Sequence, residues 1–444
     1  MSEELQQEKD LVILPEEARE RGEMFLAVLN CNGRKVENVL CQLSKLDIHS
    51  RKATLHFYPT QEQVFGLWGS AFIGVKGRHR YGSIEDEFTI DQVWINKPSS
   101  QGTNCGVRFV TQCSGIPAEI RKTHLSPTPK TRSKSVIGEY FISSCLFAEL
   151  VADDLIQHRN AKKYGFEWQR ITYTLESGST AEFKRDKQTT YRNGREEHFN
   201  YLMLRLKSLD VDAETLLAEA QALVLLAAFA SRELAVINCY FYSRGKNTLL
   251  THWYFNNPQA PKRRKFEEPL IPRDRNICKT FLGPAYAIRY RSNHRELLDA
   301  AIYALLAPRR SVENTIVRLF SGLQSALGFG LGAAKKGGKR MLIKQLYLEF
   351  TKKHALDLSD LWPLFDRTGG PCLYDVRNAL VHGDVISQKD LPSLFIAAEN
   401  LCAILERVLL LILQWDVQQS GSSKSVLSHE LASQWNEARG QLHL

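Results

Sequence analysis

The sequence predicts a multidomain α+β fold, with a β-rich N-terminal region, a mixed middle region and an all-α helical bundle at the C-terminus. Three observations carry this expectation. Short segments rich in β-branched and aromatic residues, separated by Gly, Asn and Ser, run from Met24 to about Arg121, the pattern of antiparallel strands. Beyond Ser292 the apolar residues recur at helical spacing instead. At 444 residues and 43% hydrophobic content, the chain is long enough to build more than one core.

Taken in order, "MFLAVLN", "ATLHFYP", "FTIDQVWIN" and "CGVRFVTQC" are the strand candidates. They imply an antiparallel sheet or sandwich over residues 1–135, closed by the basic stretch "HLSPTPKTRSKS" at 124–135. Residues 136–285 form the mixed region: strands in "EWQRITYTLES" and "HFNYLMLRLKS", then the long apolar helix "AETLLAEAQALVLLAAFASRE". Dense in Pro and charge, "FNNPQAPKRRKFEEPLIPRDR" (255–275) reads as a long surface excursion or a linker.

The bundle is expected over residues 290–416. Its first helix, in "SNHRELLDAAIYALLA", opens with a capping box of Asn293 and Glu296 and stops before Pro308. In "SVENTIVRLFSGLQSAL" a single stripe holds Val312, Ile316, Leu319, Leu323 and Leu327, and the helix ends at Gly328. The loop "GFGLGAAKKGGKR" leads to "MLIKQLYLEFTKK". A short helix then begins after Gly369-Gly370, with Pro371 suited to its first turn and Gly383 marking its end. The last bundle helix is "LPSLFIAAENLCAILERVLLLILQW" at 391–415. Residues 417–444 are a polar tail, in which "VLSHELASQWNEAR" is able to form one more helix.

Composition excludes several classes. The apolar runs are broken by Arg, Glu or Gln before the roughly 20 residues a bilayer demands, so no membrane span is expected. The acidic start "MSEELQQEKDLVILPEEARE" lacks a basic n-region followed by an apolar h-region, and the expected location is the cytoplasm. Nine cysteines are scattered without a C-x-x-C pair, which favours reduced, packed thiols over a metal site or disulfides. Neither a metal nor a cofactor is expected. "GFGLGAAKKGGKR" lacks the G-K-[ST] ending of a phosphate-binding loop and follows a helix. With 58 basic against 49 acidic side chains the net charge is +9, the sign that favours polyanionic partners.

One short stretch, "YDVRNALVHGD" at 374–384, gathers Arg377, Asn378 and His382. The spacing by itself says little, because chance supplies about one Arg followed five residues later by His in a chain of this composition. Arg51 to His56 and Arg289 to His294 share that spacing, but only Arg377 to His382 falls within one helix. At about 100° per residue, Leu373, Val376 and Leu380 define a buried sector that contains Arg377. Asn378 and His382, four apart, share another face near Asp375.

Two readings follow. In the first, Arg377 is structural and pairs with an acid on a neighbouring helix, Glu313, Glu399 or Glu406 being the candidates. In the second, the residues cleave RNA. Imidazole titrates near neutrality and can take the proton of a ribose 2′-OH or give one to the leaving 5′-oxygen. Arginine can grip the phosphate bidentately and stabilise the charge that develops on it. One helix supplies one Arg and one His about 140° apart, so a complete acid and base pair requires two copies across a two-fold interface.

"VRNALVHGD", preceded by bundle helices and followed by a long apolar one, resembles the HEPN domain, most closely that at the C-terminus of ApeA-like bacterial anti-phage proteins. The HEPN pattern is Arg, a polar residue, three further residues, then His, matched by Arg377, Asn378 and His382. Over 290–416 the resemblance implies a dimeric, metal-independent endoribonuclease acting in anti-phage defence on an RNA substrate. It also implies a phage trigger and a sensing role for the β-rich half, which is similar only in general layout. A departure is Gln324 in "LFSGLQSAL", where related domains are expected to carry an acid; this leaves the partner of Arg377 open. The alternative within the same resemblance is a catalytically inactive module for dimerisation or RNA binding. Lys335, Lys336, Lys339 and Arg340 in "KKGGKR" are candidate phosphate contacts, as are "KRRK" (262–265) and the basic hairpin "FKRDKQTTYRNGR" (183–195). The first two runs read more readily as solvated surface, and the hairpin is ambiguous between the two.

Overall fold

The computed structural model describes residues 22–31, 33–44, 46, 53–58, 72–81, 84–95, 99–100, 111–116, 119–124, 134–143, 155–160, 163–168, 171–192, 195–245, 247–254, 269–272, 277–309, 311–332, 335–336, 339–383, 390–423 and 434–442. The strands in chain order are β1 Gly22–Cys31, β2 Arg34–Ser44, β3 Leu55–Tyr58, β4 Phe72–Tyr81, β5 Ile84–Ile95, β6 Ser99–Ser100, β7 Thr111–Ile116, β8 Glu119–His124 and β9 Ser135–Ser143. There follow β10 Leu155–Asn160, β11 Lys163–Trp168, β12 Ile171–Thr174, β13 Thr180–Arg192, β14 Arg195–Leu209, β15 Val236–Arg244, β16 Asn247–Tyr254, β17 Lys335–Lys336 and β18 Lys339–Arg340. The helices are α1 Ala213–Ser231, α2 Gly283–Arg291, α3 Arg295–Leu306, α4 Val312–Gly330, α5 Ile343–His354, α6 Leu373–His382, α7 Leu391–Ile412 and α8 Gln434–Gln441. This is an α+β fold.

Two compact units divide the chain. The first takes residues 1–141 and 238–257, the second 142–237 and 258–444. The stretch expected as a separate middle region, 136–285, is therefore shared between them. Its strands β15 and β16 belong with the N-terminal sheet, while α1 is part of the helical unit.

In the first unit β1 shows why the sequence alternates. Phe25, Ala27, Leu29 and Cys31 are buried while Leu26 stands 55% exposed, the two-residue period of a half-buried strand. Successive antiparallel pairings run β5-β4-β1-β2-β3-β7, and β7 returns to β5 through Trp94↔Ile116 and Ile95↔Gly115. The strands thus close into a ring around a core that includes Phe25, Leu29, Val39, Phe57, Phe88 and Ile90. Bulges at Ala27/Leu29 of β1 and Ile73/Val75 of β4 add the twist and bend that closure needs. The earlier half of β5 pairs instead with β8, which leads on through β16 and β15 to β9.

His252 on β16 is buried between Glu119, whose Oε1 lies 2.5 Å from Nε2, and the Tyr240 hydroxyl, 3.1 Å from Nδ1. Glu119 favours the imidazolium, yet burial and then the Arg121 guanidinium depress the pKa to about 4. The arrangement suits a neutral ring whose Nδ1 accepts from the Tyr240 hydroxyl. Because the folded pKa lies below the unfolded one, the unfolded chain binds the extra proton first. Stability from this site is expected to be present above about pH 6.5 and lost as pH falls toward about 4. Denaturant melts across that window test it: His252→Phe should flatten the slope, and an unchanged slope would remove the assignment.

The second unit is built on apolar helices. α1 starts where Asp212 accepts the Thr215 N–H at 2.7 Å and ends at Arg232, a non-glycine residue in the left-handed region with φ 54°. By length and composition α1 is apolar enough to cross a membrane, a composition not anticipated above. It is mostly buried within its unit, and an all-round apolar surface fits a core helix. α3, α4 and α7 cross closely at Gly322, where a Cβ would stand 2.6 Å from that of Ala304. The stripe Val312, Ile316, Leu319, Leu323 and Leu327 is buried as expected.

Several boundaries differ from the sequence reading. α3 has no Asn293–Glu296 box: His294 is its N-cap, and the His294 N–H donates to Ser292 Oγ at 3.0 Å. α4 continues to Gly330 instead of stopping at Gly328, and a Cβ at Gly330 would stand 2.5 Å from the Phe350 ring. α7 ends at Ile412. The polar tail contains α8, with Ala438 and Arg439 buried. "KRRK", most of 255–275 and most of 124–135 lie outside the described residues.

Candidate functional site

α6 carries the three motif residues, and its start is set by the loop before it. Cys372 is the N-cap, with Asp375 completing a capping box, so Pro371 precedes the cap and is not in the first turn. Asp375 accepts the Cys372 N–H at 3.1 Å and the Arg367 guanidinium at 2.5 Å. Burial works to raise its pKa, but the hydrogen bonds from Arg367 and Cys372 bring it below the usual carboxylate range. Two of the N–H groups that a helix N-terminus leaves without intrahelical partners are satisfied by the same loop: Leu373 N–H donates to Pro363 O at 3.0 Å and Tyr374 N–H to Leu364 O at 3.1 Å. The other end is closed by Gly383, whose φ of 80° is a left-handed cap that glycine adopts without strain.

The buried face of α6 is Leu373, Val376 and Ala379. Leu380, expected in that sector, is only half-buried, which moves Arg377 from the middle of the apolar stripe to its edge. Tyr374 extends the contact through Phe365 and Phe320, with ring centroids 5.3 and 6.3 Å away.

Arg377 is half-buried, and its Nη1 donates to Asn378 Oδ1 at 2.9 Å. None of the expected acids serves it. Glu406 binds Arg232, Glu399 binds Arg309, and among the described residues no ion pair joins Glu313 or any other carboxylate to Arg377. Gln324 on α4 is half-buried and adds no charge. The guanidinium therefore turns along its own helix toward Asn378. That residue lies one turn before His382 on a common face, which narrows the 140° separation of the Cα positions. His382 is exposed in the last turn.

The basic run forms a minimal ribbon, Lys335 opposite Arg340 and Lys336 opposite Lys339; the side chains of Lys335, Lys336, Lys339 and Arg340 lie outside the described ones. β13 and β14 form the expected hairpin, pairing as far as Arg192↔Arg195. Arg289 and His294 do not form a site: Arg289 holds Asp299 in two hydrogen bonds at 2.6 and 2.7 Å. Among the described residues no group of three or more His, Cys, Asp or Glu is gathered as a metal site.

Of the residues around the loop before α6, Asp360, Asn400 and Arg407 were not singled out from the sequence. Adjacent on α7, Glu406 and Arg407 reach different partners. Arg407 is 1% exposed and clamps Asp360 through Nη1 and Nη2, both at 2.7 Å, while its Nε donates to Ser422 O at 2.8 Å. Asn400 accepts the Trp362 N–H at 3.0 Å. A visible signal was a Glu-Arg pair inside the apolar run "LCAILERVLLLILQW", since buried charges require partners.

No family model and no curated protein matches this chain. Among solved structures it is similar to YcgR in complex with c-di-GMP from Escherichia coli, at 13% identity, over 46% of this chain and 89% of that chain, with a TM-score of 0.14. At that level the likeness transfers neither fold nor ligand. Fold and site define an α+β protein with a β-rich unit and a helix-rich unit that displays Arg377, Asn378 and His382 on one anchored helix.

Proposed function

We propose that this protein is an anti-phage defence endoribonuclease that cuts RNA without a metal, using Arg377, Asn378 and His382 of two chains paired through the helical unit. The observation that supports it best is the state of Arg377: half-buried on an anchored helix, linked to Asn378 and engaged by no carboxylate among the described residues. A structural arginine at the edge of a core is ordinarily paired with an acid. One without such a pair, beside an exposed histidine, is suited to an anionic ligand.

In this reading Arg377 binds the scissile phosphate and Asn378 keeps the guanidinium turned toward the His382 face. His382 of one copy takes the 2′-OH proton and that of the second protonates the departing 5′-oxygen. Attack by the 2′-oxygen gives a 2′,3′-cyclic phosphate and a 5′-OH. The β17–β18 ribbon, through Lys335, Lys336, Lys339 and Arg340, adds phosphate contacts along the strand. The β-rich unit is the sensing part, and a phage product is the trigger.

A second reading is favoured by Val381, 47% exposed between Leu380 and His382: an apolar side chain there suits a dimerisation module without catalysis. Incubating the purified full chain with single-stranded RNA separates the two. Cleavage with the two product ends named above, undiminished by EDTA and poisoned by excess His382→Ala chain through subunit exchange, is the expected result. Cleavage that stops on chelation and returns with Mg²⁺, or a fully active monomer in sedimentation, would overturn the composite metal-free site. Dimerisation with no cleavage would select the second reading.

A further inference from the structure

We infer that Arg439, from the last helix of the chain, is a positioning residue that fixes the N-terminal end of α6, so that α8 clasps the motif helix into place. The consequence for catalysis rests on the nuclease reading; the clasp itself does not.

α8, "QWNEARGQ", is polar, and Ala438 and Arg439 are its buried residues. Arg439 is 5% exposed, and its donors go to backbone carbonyls: Nε to Pro371 O at 2.9 Å, Nη2 to Asp366 O at 2.8 Å and to Gly370 O at 2.7 Å. A buried guanidinium is tolerated only where its donors are satisfied, and its planar fork holds its acceptors in a fixed relation. The three carbonyls belong to the turn that ends one residue before the Cys372 cap. Gly370 in that turn has φ +140°, outside the range of L side chains, and a Cβ there would meet Arg439 Cγ at 3.3 Å. The turn is thus built around the arginine.

The far end of the loop is held from the same helix. Trp435 Nε1 donates to Asp360 O at 3.1 Å, on the residue whose carboxylate Arg407 clamps. Between these two anchors lie Pro363 and Leu364, whose carbonyls accept the first N–H groups of α6. His382 lies nine residues beyond Leu373, about 14 Å along the axis at the helical rise. A tilt of about 4° at the base therefore moves the imidazole by about 1 Å, a displacement able to cost about 100-fold in rate.

The test uses the full chain carrying Arg439→Gln. Amide hydrogen exchange at Leu373 and Tyr374 is expected to speed up by about 10-fold or more while α4 stays protected. RNA cleavage should lose about 10- to 100-fold in kcat with KM changed by less than about 3-fold, the signature of misplacement over lost binding. Arg439→Lys, which keeps the charge but not the fork, should recover part of both. Unchanged exchange at Leu373 and Tyr374 would overturn the clasp. If the wild-type chain cuts no RNA, faster exchange in the variant still supports the clasp while the nuclease reading fails. Should Arg439→Gln fail to fold, Trp435→Phe, which removes one hydrogen bond, decides by the same two amides: faster exchange supports the clasp and unchanged exchange rejects it.

Discussion

His382→Ala should lower RNA cleavage by about 10²- to 10⁴-fold, the range that a positioned general acid or base contributes, while leaving stability within about 0.5 kcal/mol of the wild type. The second half of the expectation follows from exposure: His382 is at the open end of α6, and among the described residues no hydrogen bond to it forms part of the fold. Arg377→Ala should give a comparable loss of cleavage. Its stability cost is expected to be small, because its bond goes to the neighbouring Asn378 and no buried acid is stranded. Thermal melts run beside the cleavage assay distinguish chemistry from unfolding. Near-wild-type cleavage by pure His382→Ala protein would remove the histidine from the mechanism.

Asp360→Ala is expected to be the most destabilising change named here, by about 3–5 kcal/mol, the usual cost of removing one partner from a buried pair. Arg407 is 1% exposed and Asp360 14%, so loss of the carboxylate leaves a guanidinium in the interior with, among the described residues, the carbonyls of Ser422 and Asp357. Asp360→Asn keeps one acceptor oxygen and should cost less. Glu176→Ala provides the contrast: its pair with Arg291 is 38% and 68% exposed, and exposed pairs contribute about 1 kcal/mol or less. Denaturant midpoints for the three variants test the ranking. Equal midpoints for Asp360→Ala and Glu176→Ala would show that the Arg407 clamp does not hold the loop as argued. Because that loop supplies the carbonyls that start α6, the same variant should reduce cleavage as well.

The local pattern was sufficient to place α6. Gly383 ended it where expected, and the separation of buried Leu373 and Val376 from exposed His382 followed from the helical period. The start was misjudged by two residues because Pro371 suits a first turn in isolation, whereas Cys372 and Asp375 form the box that begins the helix. Arg377 shows the limit more clearly. Its angle on the helix suggested a buried ion pair, but every candidate acid lies on another helix, and whether one meets it depends on how those helices cross. Arg232 and Arg309 reached Glu406 and Glu399 first.

What the sequence determined by itself is therefore the part encoded within a few residues: alternating burial along β1, the apolar stripe of α4, the helix that presents Asn378 and His382 on one face, and the β13–β14 hairpin. Tertiary structure alone decided the return of β7 to β5 that closes the ring, the assignment of β15 and β16 to the first unit, and the partners of each buried charge. It also decided that Arg439, 68 residues from Pro371 in sequence, would shape the turn before the motif. The physical reason is the same in each case. Periodicity specifies which face of an element is hidden from water, but a guanidinium or a strand edge is satisfied by whatever acceptor the packed chain brings within about 3 Å, and that is fixed only when distant segments meet.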